Sequence, residues 1–454
     1  MAESMGFTIT MFRFVIAFLM SVPVSIVFKR FPRSVTGRHI YAIVTGFLLI
    51  YYPFGAGCFH ALVTSTVVYL FMALFPTQCG TLAWFFSFPY LIMNHVNQAS
   101  GLAWKDGNLD FTGAQMVLTL KLIAVAMCYQ DGSRKNGASL HPYALSKRLT
   151  SIPNPLEYYS YLFSIGSLLS GPFYEAKDYL DYVNRRGDWD ERVEGCRIPS
   201  TAIVGTKRFL KALLCAGVWM YFTRIGWNIA FVEGEYWRSE LPVLMRILSL
   251  WVVVVVYRFK YYAVWTVSEC VMIFSGLGYR KRDTDGAPLW DRYVTSHIMM
   301  VELNPSIADT PRHWNICTGL WLRHYVYNRL SKPGEKASFF NMIVTQLVSG
   351  VWHGVFAGYW LFFATSAFIF QASRIIFKYE LSWPSKWRNF YPWYFTKVLM
   401  SALVLNYAGS AFMVLSYAES MAIWKATYYF GHVWMIFVLL LGKVYPPRVQ
   451  KKKE

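Results

Sequence analysis

Residues 337–373 read ASFFNMIVTQLVSGVWHGVFAGYWLFFATSAFIFQAS, 37 consecutive positions without Asp, Glu, Lys or Arg. As one helix this run would be roughly 55 Å long at about 1.5 Å per residue, well beyond the hydrocarbon thickness of a bilayer. It therefore predicts two membrane segments that meet near His353. Glycines at 350, 354 and 358 break the helix or let a second backbone or a slim ligand approach. Trp352, Phe356, Tyr359 and Trp360 suit a greasy chamber that can hold an acyl chain. The bland reading of His353 is a buried ring satisfying a nearby carbonyl. Against it, an ionisable group at membrane depth is costly and by default functional, and imidazole can take or give a proton near neutral pH.

The rest of the chain has the same character. Of its 454 residues 55% are hydrophobic, 19% aromatic and only 15% charged, a composition unlike that of soluble domains. Apolar segments that qualify or nearly qualify as spans fall near 9–28, 39–54, 56–76, 81–99, 114–129, 157–173, 207–226, 242–257, 260–278, 338–352, 355–373, 395–417 and 424–444. The 338–352 segment is short for a full crossing. The expectation is an all-α integral membrane protein with about 11 transmembrane helices and a single domain spanning residues 1–454.

A net charge of +19 raises the possibility of nucleic-acid binding, but the basic residues cluster between spans and no nucleic-acid partner is expected. Lys29, Arg30, Arg33 and Arg38 fill the first loop, and Lys443, Arg448, Lys451, Lys452 and Lys453 the tail. The positive-inside rule puts both in the cytosol, leaving Met1–Thr8 lumenal and the number of crossings odd. Residues 445–454 form a basic cytosolic tail with a dilysine-like ending, a pattern resembling endoplasmic reticulum retrieval signals. The seven cysteines form no CxxC or Cys/His cluster, so neither a metal site nor a disulfide framework is expected.

Three polar connections punctuate the apolar segments: Gln130–Pro155, where Asp131-Gly132 reads as a turn, Tyr174–Lys207, and Tyr279–Lys336. In the third, residues 312–327 read as an amphipathic helix. Trp314, Cys317, Thr318, Trp321, Leu322 and Tyr325 share a face that can lie against the membrane, and Arg323 falls elsewhere. Asn315, near its start, is a favoured helix-capping residue. It is also an amide able to donate to a developing oxyanion or to orient a base. Glu269 and Lys121, lying in apolar runs, are expected to be structural and to pair with each other or with arginines. His60 and His95 are also expected to be structural. His324, beside Arg323, is the rival base to His353. There is no GxSxG elbow, P-loop or dinucleotide fingerprint, which argues against a covalent serine mechanism.

Trp314-Asn315-Ile316 with Trp321-Leu322-Arg323-His324-Tyr325-Val326-Tyr327, followed by Val351-Trp352-His353-Gly354, resembles the signature pair of the membrane-bound O-acyltransferases. Further motifs are similar to the lysophospholipid acyltransferase branch, closest to the plant-type lysophosphatidylcholine enzymes. They are Phe274-Ser275-Gly276-Leu277-Gly278, Trp290-Asp291-Arg292, Ser170-Gly171-Pro172-Phe173-Tyr174-Glu175, Met116-Val117-Leu118-Thr119-Leu120-Lys121-Leu122 and Val404-Leu405-Asn406-Tyr407. The resemblance implies a helical membrane fold with interfacial helices and an internal substrate tunnel. It also implies an endoplasmic reticulum enzyme that re-acylates a lysophospholipid from acyl-CoA, with membrane lipids as its surroundings and no cofactor. By the same resemblance His353 and Asn315 are the catalytic pair. Arg323, Tyr327, Arg329, Lys332 and Lys336 are candidates for the acyl-CoA side, and Trp314, Trp321, Trp352 and Ser349 for the tunnel wall. The alternatives are a relative acting on a neutral lipid or a protein, and a proton-coupled transporter.

Overall fold

The computed structural model describes residues 8–31, 33–98, 108–134, 140–193, 197–335 and 338–447. Among them regular structure is helical, with no β-strand and one isolated bridge between Arg282 and Pro288. Six helical stretches are long and apolar enough to cross a bilayer: Ile9–Arg30, Val35–Leu74, Thr112–Ser133, Ala202–Glu233, Ala357–Ser382 and Tyr391–Val414. Tyr417–Ala426 and Phe430–Val444, bent by 77° at their junction, make a seventh if taken together. Large apolar side chains such as Leu48, Leu70, Phe85, Leu214 and Phe437 face outward, as lipid-facing helices require. The protein is an all-helical, multi-pass membrane protein, and these helices leave the expected number of eleven crossings unestablished.

Two segments depart from the hydropathy reading. The expected spans 242–257 and 260–278 are a single helix, Val243–Ser275, about 50 Å long. Arg258 and Lys260 suggested an interruption that the backbone does not make. The expected span 157–173 is broken into the helices Pro155–Phe163 and Ser167–Ser170 around a 3-10 turn at Ser164–Gly166, and Gly171-Pro172 follows with a cis peptide bond. The break has a visible physical support. Irregular backbone frees carbonyls, which at membrane depth must be satisfied inside the protein. The fully buried Lys121 ammonium donates to the Tyr161 carbonyl at 2.7 Å, the Leu162 carbonyl at 3.1 Å and Ser167 Oγ at 2.8 Å, and contacts Tyr174 OH at 3.1 Å. Lys121 is thus structural, as expected, but its partners are neutral oxygens and not Glu269. Glu269 accepts from the Thr295 amide and hydroxyl, each at 2.6 Å, and pairs with Arg208 at 2.8 Å.

The chain forms two compact units. One comprises Met1–Leu213, Ala263–Thr295 and Leu320–Ala337, and its centre is the mostly buried Thr112–Ser133 helix. Asp131 and Gly132, expected in a turn, belong to the last turns of that helix. The other comprises Leu214–Tyr262, Ser296–Gly319 and Ser338–Glu454. Here the 337–373 run folds as anticipated into two helices, Phe339–His353 and Ala357–Ser382, which pack on one another. The first is only about 22 Å long, short of a crossing. Phe339 at its start meets Phe368 midway along the second, with ring centroids 5.5 Å apart.

Two glycines shape the junction. Gly354 ends the first helix at φ 139°, ψ −171°, a conformation open to glycine alone, and its N–H returns to the Gly350 carbonyl at 3.1 Å. Gly358 lies against the end of the Tyr391–Val414 helix and donates to the Leu415 carbonyl at 2.7 Å. A Cβ there would sit 2.1 Å from the Ala411 carbonyl oxygen. Gly358→Ala is therefore expected to destabilise the protein by about 1–3 kcal/mol through overpacking, read as a lower unfolding temperature of the detergent-solubilised protein. An unchanged temperature would contradict the close approach.

Candidate active site

His353 is the last residue of its helix and is half-buried. Four rings surround the imidazole: Trp352 at 4.7 Å and Phe412 at 4.9 Å, both edge-on, Phe363 stacked at 5.3 Å and Tyr359 tilted at 5.6 Å. Tyr359 and Phe363 belong to a buried apolar cluster with Leu415, bordered by Phe356, Phe362 and Phe412. Trp352, Phe356 and Tyr359 are gathered around His353 as packed rings, and Phe412 joins them from a helix the local sequence did not suggest. Trp360 is instead exposed. Ser349 is buried four residues before His353, on the same helical face.

Asn315 lies in the same unit, half-buried. The helix expected over 312–327 is shorter, Ile316–Tyr325, flanked by 3-10 turns at Ile307–Arg312 and Tyr327–Leu330. The Asn315 carbonyl accepts the first helical bond, from Gly319 N–H at 2.9 Å, so the residue stands at the capping position. Its φ, however, is +44°, whereas capping residues are ordinarily extended. Asn tolerates this left-handed conformation better than other non-glycine residues, and such strain persists only where the surroundings impose it. They do so here. Ser373 Oγ on the Ala357–Ser382 helix accepts from the Ala308 amide at 3.2 Å, anchoring the turn that leads to Asn315. Trp314 is packed edge-on against Tyr261 and Tyr262.

The acyl-CoA-side candidates fall in the other unit. Arg323 and Lys332 are exposed and Tyr327 is half-buried. Arg329 is committed to the buried Asp131 carboxylate, with contacts of 3.0 and 2.5 Å. Trp321 is wholly buried, its indole N–H on the Leu120 carbonyl at 3.0 Å and its ring against Trp84. Cys317, Trp321 and Tyr325 are covered by protein, which corrects the expectation that this face lies against lipid. Lys336 and the tail residues Arg448–Glu454 lie outside the described residues.

The rival base is poorly placed. His324 stacks face to face on Tyr143, ring centroids 3.5 Å apart. Burial, followed by the positive charge of Arg323, His141, Arg329 and Lys147, pushes its pKa down to about 4. Such a weak base has little driving force to remove an alcohol proton. His60 and His39 are held by the hydroxyls of Tyr90 at 2.6 Å and Ser160 at 2.5 Å. Beside His324 lies a carboxyl that sequence reasoning noted only as part of a motif. Glu175 accepts from Tyr325 OH at 2.7 Å and Tyr143 OH at 2.8 Å, and burial raises its pKa from 4.5 to about 7.

Sequence reasoning also missed Arg258 and Glu302, which form a half-buried ion pair near Trp314. The available signal was an arginine interrupting the apolar run 242–278.

These features define a multi-pass membrane protein whose aromatic-walled histidine shares a unit with a strained asparagine. The model of the MBOAT, membrane-bound O-acyltransferase, family matches residues 96–440. Lysophospholipid acyltransferase 1 of Arabidopsis thaliana is 38% identical over 100% of this chain and 98% of its own length, and lysophospholipid acyltransferase 2 of the same plant is 37% identical over 100% and 97%. The human membrane-bound glycerophospholipid O-acyltransferase 2 is 28% identical over 92% of this chain and 80% of its own. This chain belongs to the membrane-bound O-acyltransferase family.

The Glu175 shift makes a pH prediction. A carboxyl whose folded pKa is raised contributes stability that is complete below the unfolded value, 4.5, and is lost as pH climbs through about 7. The wild type should therefore lose up to about 3 kcal/mol across that window. Glu175→Gln should flatten this slope in unfolding temperature against pH, and an identical slope in both proteins would refute the assignment.

Proposed function

We propose that this protein transfers an acyl group from acyl-CoA to the free sn-2 hydroxyl of a lysophospholipid, with lysophosphatidylcholine the first choice and the ethanolamine and serine analogues next. The observation that carries the reading is the aromatic shell of His353 in one unit with Asn315, in a chain that matches lysophospholipid acyltransferases end to end.

The chemistry needs one base and one means of orientation. His353 takes the proton from the glycerol hydroxyl as its oxygen attacks the thioester carbonyl. The carbon–sulfur bond breaks, and the imidazolium returns the proton to the departing thiolate, giving free coenzyme A and a new ester. An alcohol is a poor nucleophile, and a positioned base contributes about 10²–10⁴ in rate. Asn315 holds the hydroxyl, the imidazole or the carbonyl oxygen in line. The thioester is already activated, so the proposal calls on no cofactor. The aromatic wall of Trp352, Tyr359, Phe363 and Phe412 receives the acyl chain, with Ser349 and Trp314 as further candidates for the tunnel lining.

The acyl-CoA phosphates are assigned to the cytosolic side, to Arg323 and Lys332 with Tyr327 at the mouth. Arg323 lies on the helix that Asn315 begins, in the positive surroundings that hold down His324. Arg329, already paired with Asp131, is better suited to shaping that helix's end than to receiving a phosphate. The assigned membrane is that of the endoplasmic reticulum, with the N-terminus lumenal and the C-terminus cytosolic. Tyr379 OH bonds to the Leu441 and Tyr445 carbonyls, so the Ala357–Ser382 helix ends where the last helix ends. The connection that follows carries Lys386 and Arg388, which fits the positive-inside rule for that side.

With purified full-length protein in nanodiscs, thiol release from acyl-CoA should require a lysophospholipid. His353→Ala should insert normally and lose at least about 10²-fold in turnover, while His324→Ala retains most of it. The reverse ranking would overturn the base assignment, and thiol release with a sterol or diacylglycerol but no lysolipid would overturn the acceptor.

A further inference from the structure

Two consecutive tyrosines grip the residue before Asn315. The rings of Tyr261 and Tyr262 meet the Trp314 indole edge-on, with centroids 5.9 and 5.5 Å away and interplanar angles of 74° and 75°. Neighbouring helical residues diverge by about 100°, so both reach one indole only because Trp314 lies in the angle between them.

Each tyrosine is itself held. Tyr262 OH donates to Glu302 Oε1 at 2.6 Å. Glu302 also accepts from Arg258 Nε at 2.8 Å and from Arg258 Nη2, while Arg258 Nη1 donates to Asn406 Oδ1 on the Tyr391–Val414 helix. Arg258 and Tyr262 stand four residues apart, on one face of their helix. On the other side, the Tyr261 ring meets the Tyr257 ring edge-on, with centroids 5.6 Å apart.

Burying an Arg–Glu pair costs desolvation energy that apolar side chains of the same volume avoid, so its presence is weak evidence for added stability. A hydrogen-bonded pair does what apolar packing does not: it points the Tyr262 hydroxyl, and with it the ring, in one direction. Trp314 is joined by a peptide bond to a residue kept at φ +44°, so holding the indole in one place helps hold the Trp314 backbone from which the Asn315 turn departs.

We propose that Tyr262, oriented by Glu302, Arg258 and Asn406, is a positioning residue that sets Asn315 through Trp314, and that Tyr261 holds the same indole from its other side. The inference rests on the function proposed above and adds five residues to it, none of which touches the reacting atoms.

The test is a mutant cycle on the full-length enzyme, with lysophosphatidylcholine and a long-chain acyl-CoA as substrates. Tyr262→Phe deletes only the hydroxyl and keeps the ring. It should lower turnover per folded enzyme about tenfold, with both KM values within about twofold of wild type and the unfolding temperature little changed. Trp314→Phe should act likewise, and the double variant should be no more than about twofold worse than the poorer single one. Wild-type turnover in Tyr262→Phe, a double loss equal to the product of the singles, or a loss explained wholly by unfolded protein would each overturn the proposal. If Tyr262→Phe does not fold, Tyr261→Phe takes its place in the same cycle. Asn315→Ala separates the two readings: full activity there removes Asn315 from the mechanism and its positioning device with it. An impaired Asn315→Ala beside an unaffected Tyr262→Phe removes the device alone.

Discussion

A bilayer offers no water to stray polar groups, and each unusual feature of this protein answers that constraint. Where the backbone departs from helix around Ser164–Gly166, the Lys121 ammonium takes up the freed carbonyls. Where Thr295 leaves its amide and hydroxyl inside, the Glu269 carboxylate accepts both and is itself neutralised by Arg208. Where Glu302 meets the helix bundle, Arg258 and Tyr262 donate to it, and Asn406 accepts from Arg258. A buried charge in this fold is therefore a device for shaping backbone or aiming side chains.

The candidate site follows the same economy. His353 stands at a helix end, where glycine geometry stops the helix short of a crossing, and rings occupy the space around it. Asn315 comes from a different kind of element, a left-handed residue between a 3-10 turn and a helix. One is placed by a helix hairpin and the other by a pinned loop, and the tyrosine pair belongs to neither. The two supports meet at Ser373 of the hairpin's second helix, whose hydroxyl accepts from the Ala308 amide of that loop.

Much of this was legible in the chain. The charge-free run 337–373 implied a broken hairpin with its histidine near the break, and the glycines marked where. The ordered motifs implied the family, which the match over 96–440 bears out. Less legible were the single helix at 243–275, since hydropathy reads the charged Arg258 and Lys260 as a boundary when they are side chains with local partners, and the broken segment after Pro155. Periodicity marked one face of the 316–325 helix as apolar, but apolar faces bury equally well in lipid and in protein. Only the observed burial of Trp321 and Tyr325 distinguishes the two.

Composition and local pattern, then, were enough to establish a helical membrane chain and its family, and to nominate the pair of residues on which the proposed chemistry turns, because apolar length, glycine breaks and short motifs are properties of neighbours along the backbone. The partners of the buried charges, the left-handed turn at Asn315 and the rings that meet around His353 were decided by tertiary structure. Many of these contacts join residues far apart in the chain, such as Tyr262 with Glu302, 40 positions away, and Arg258 with Asn406, 148 away, and only the folded chain brings such groups within hydrogen-bond reach.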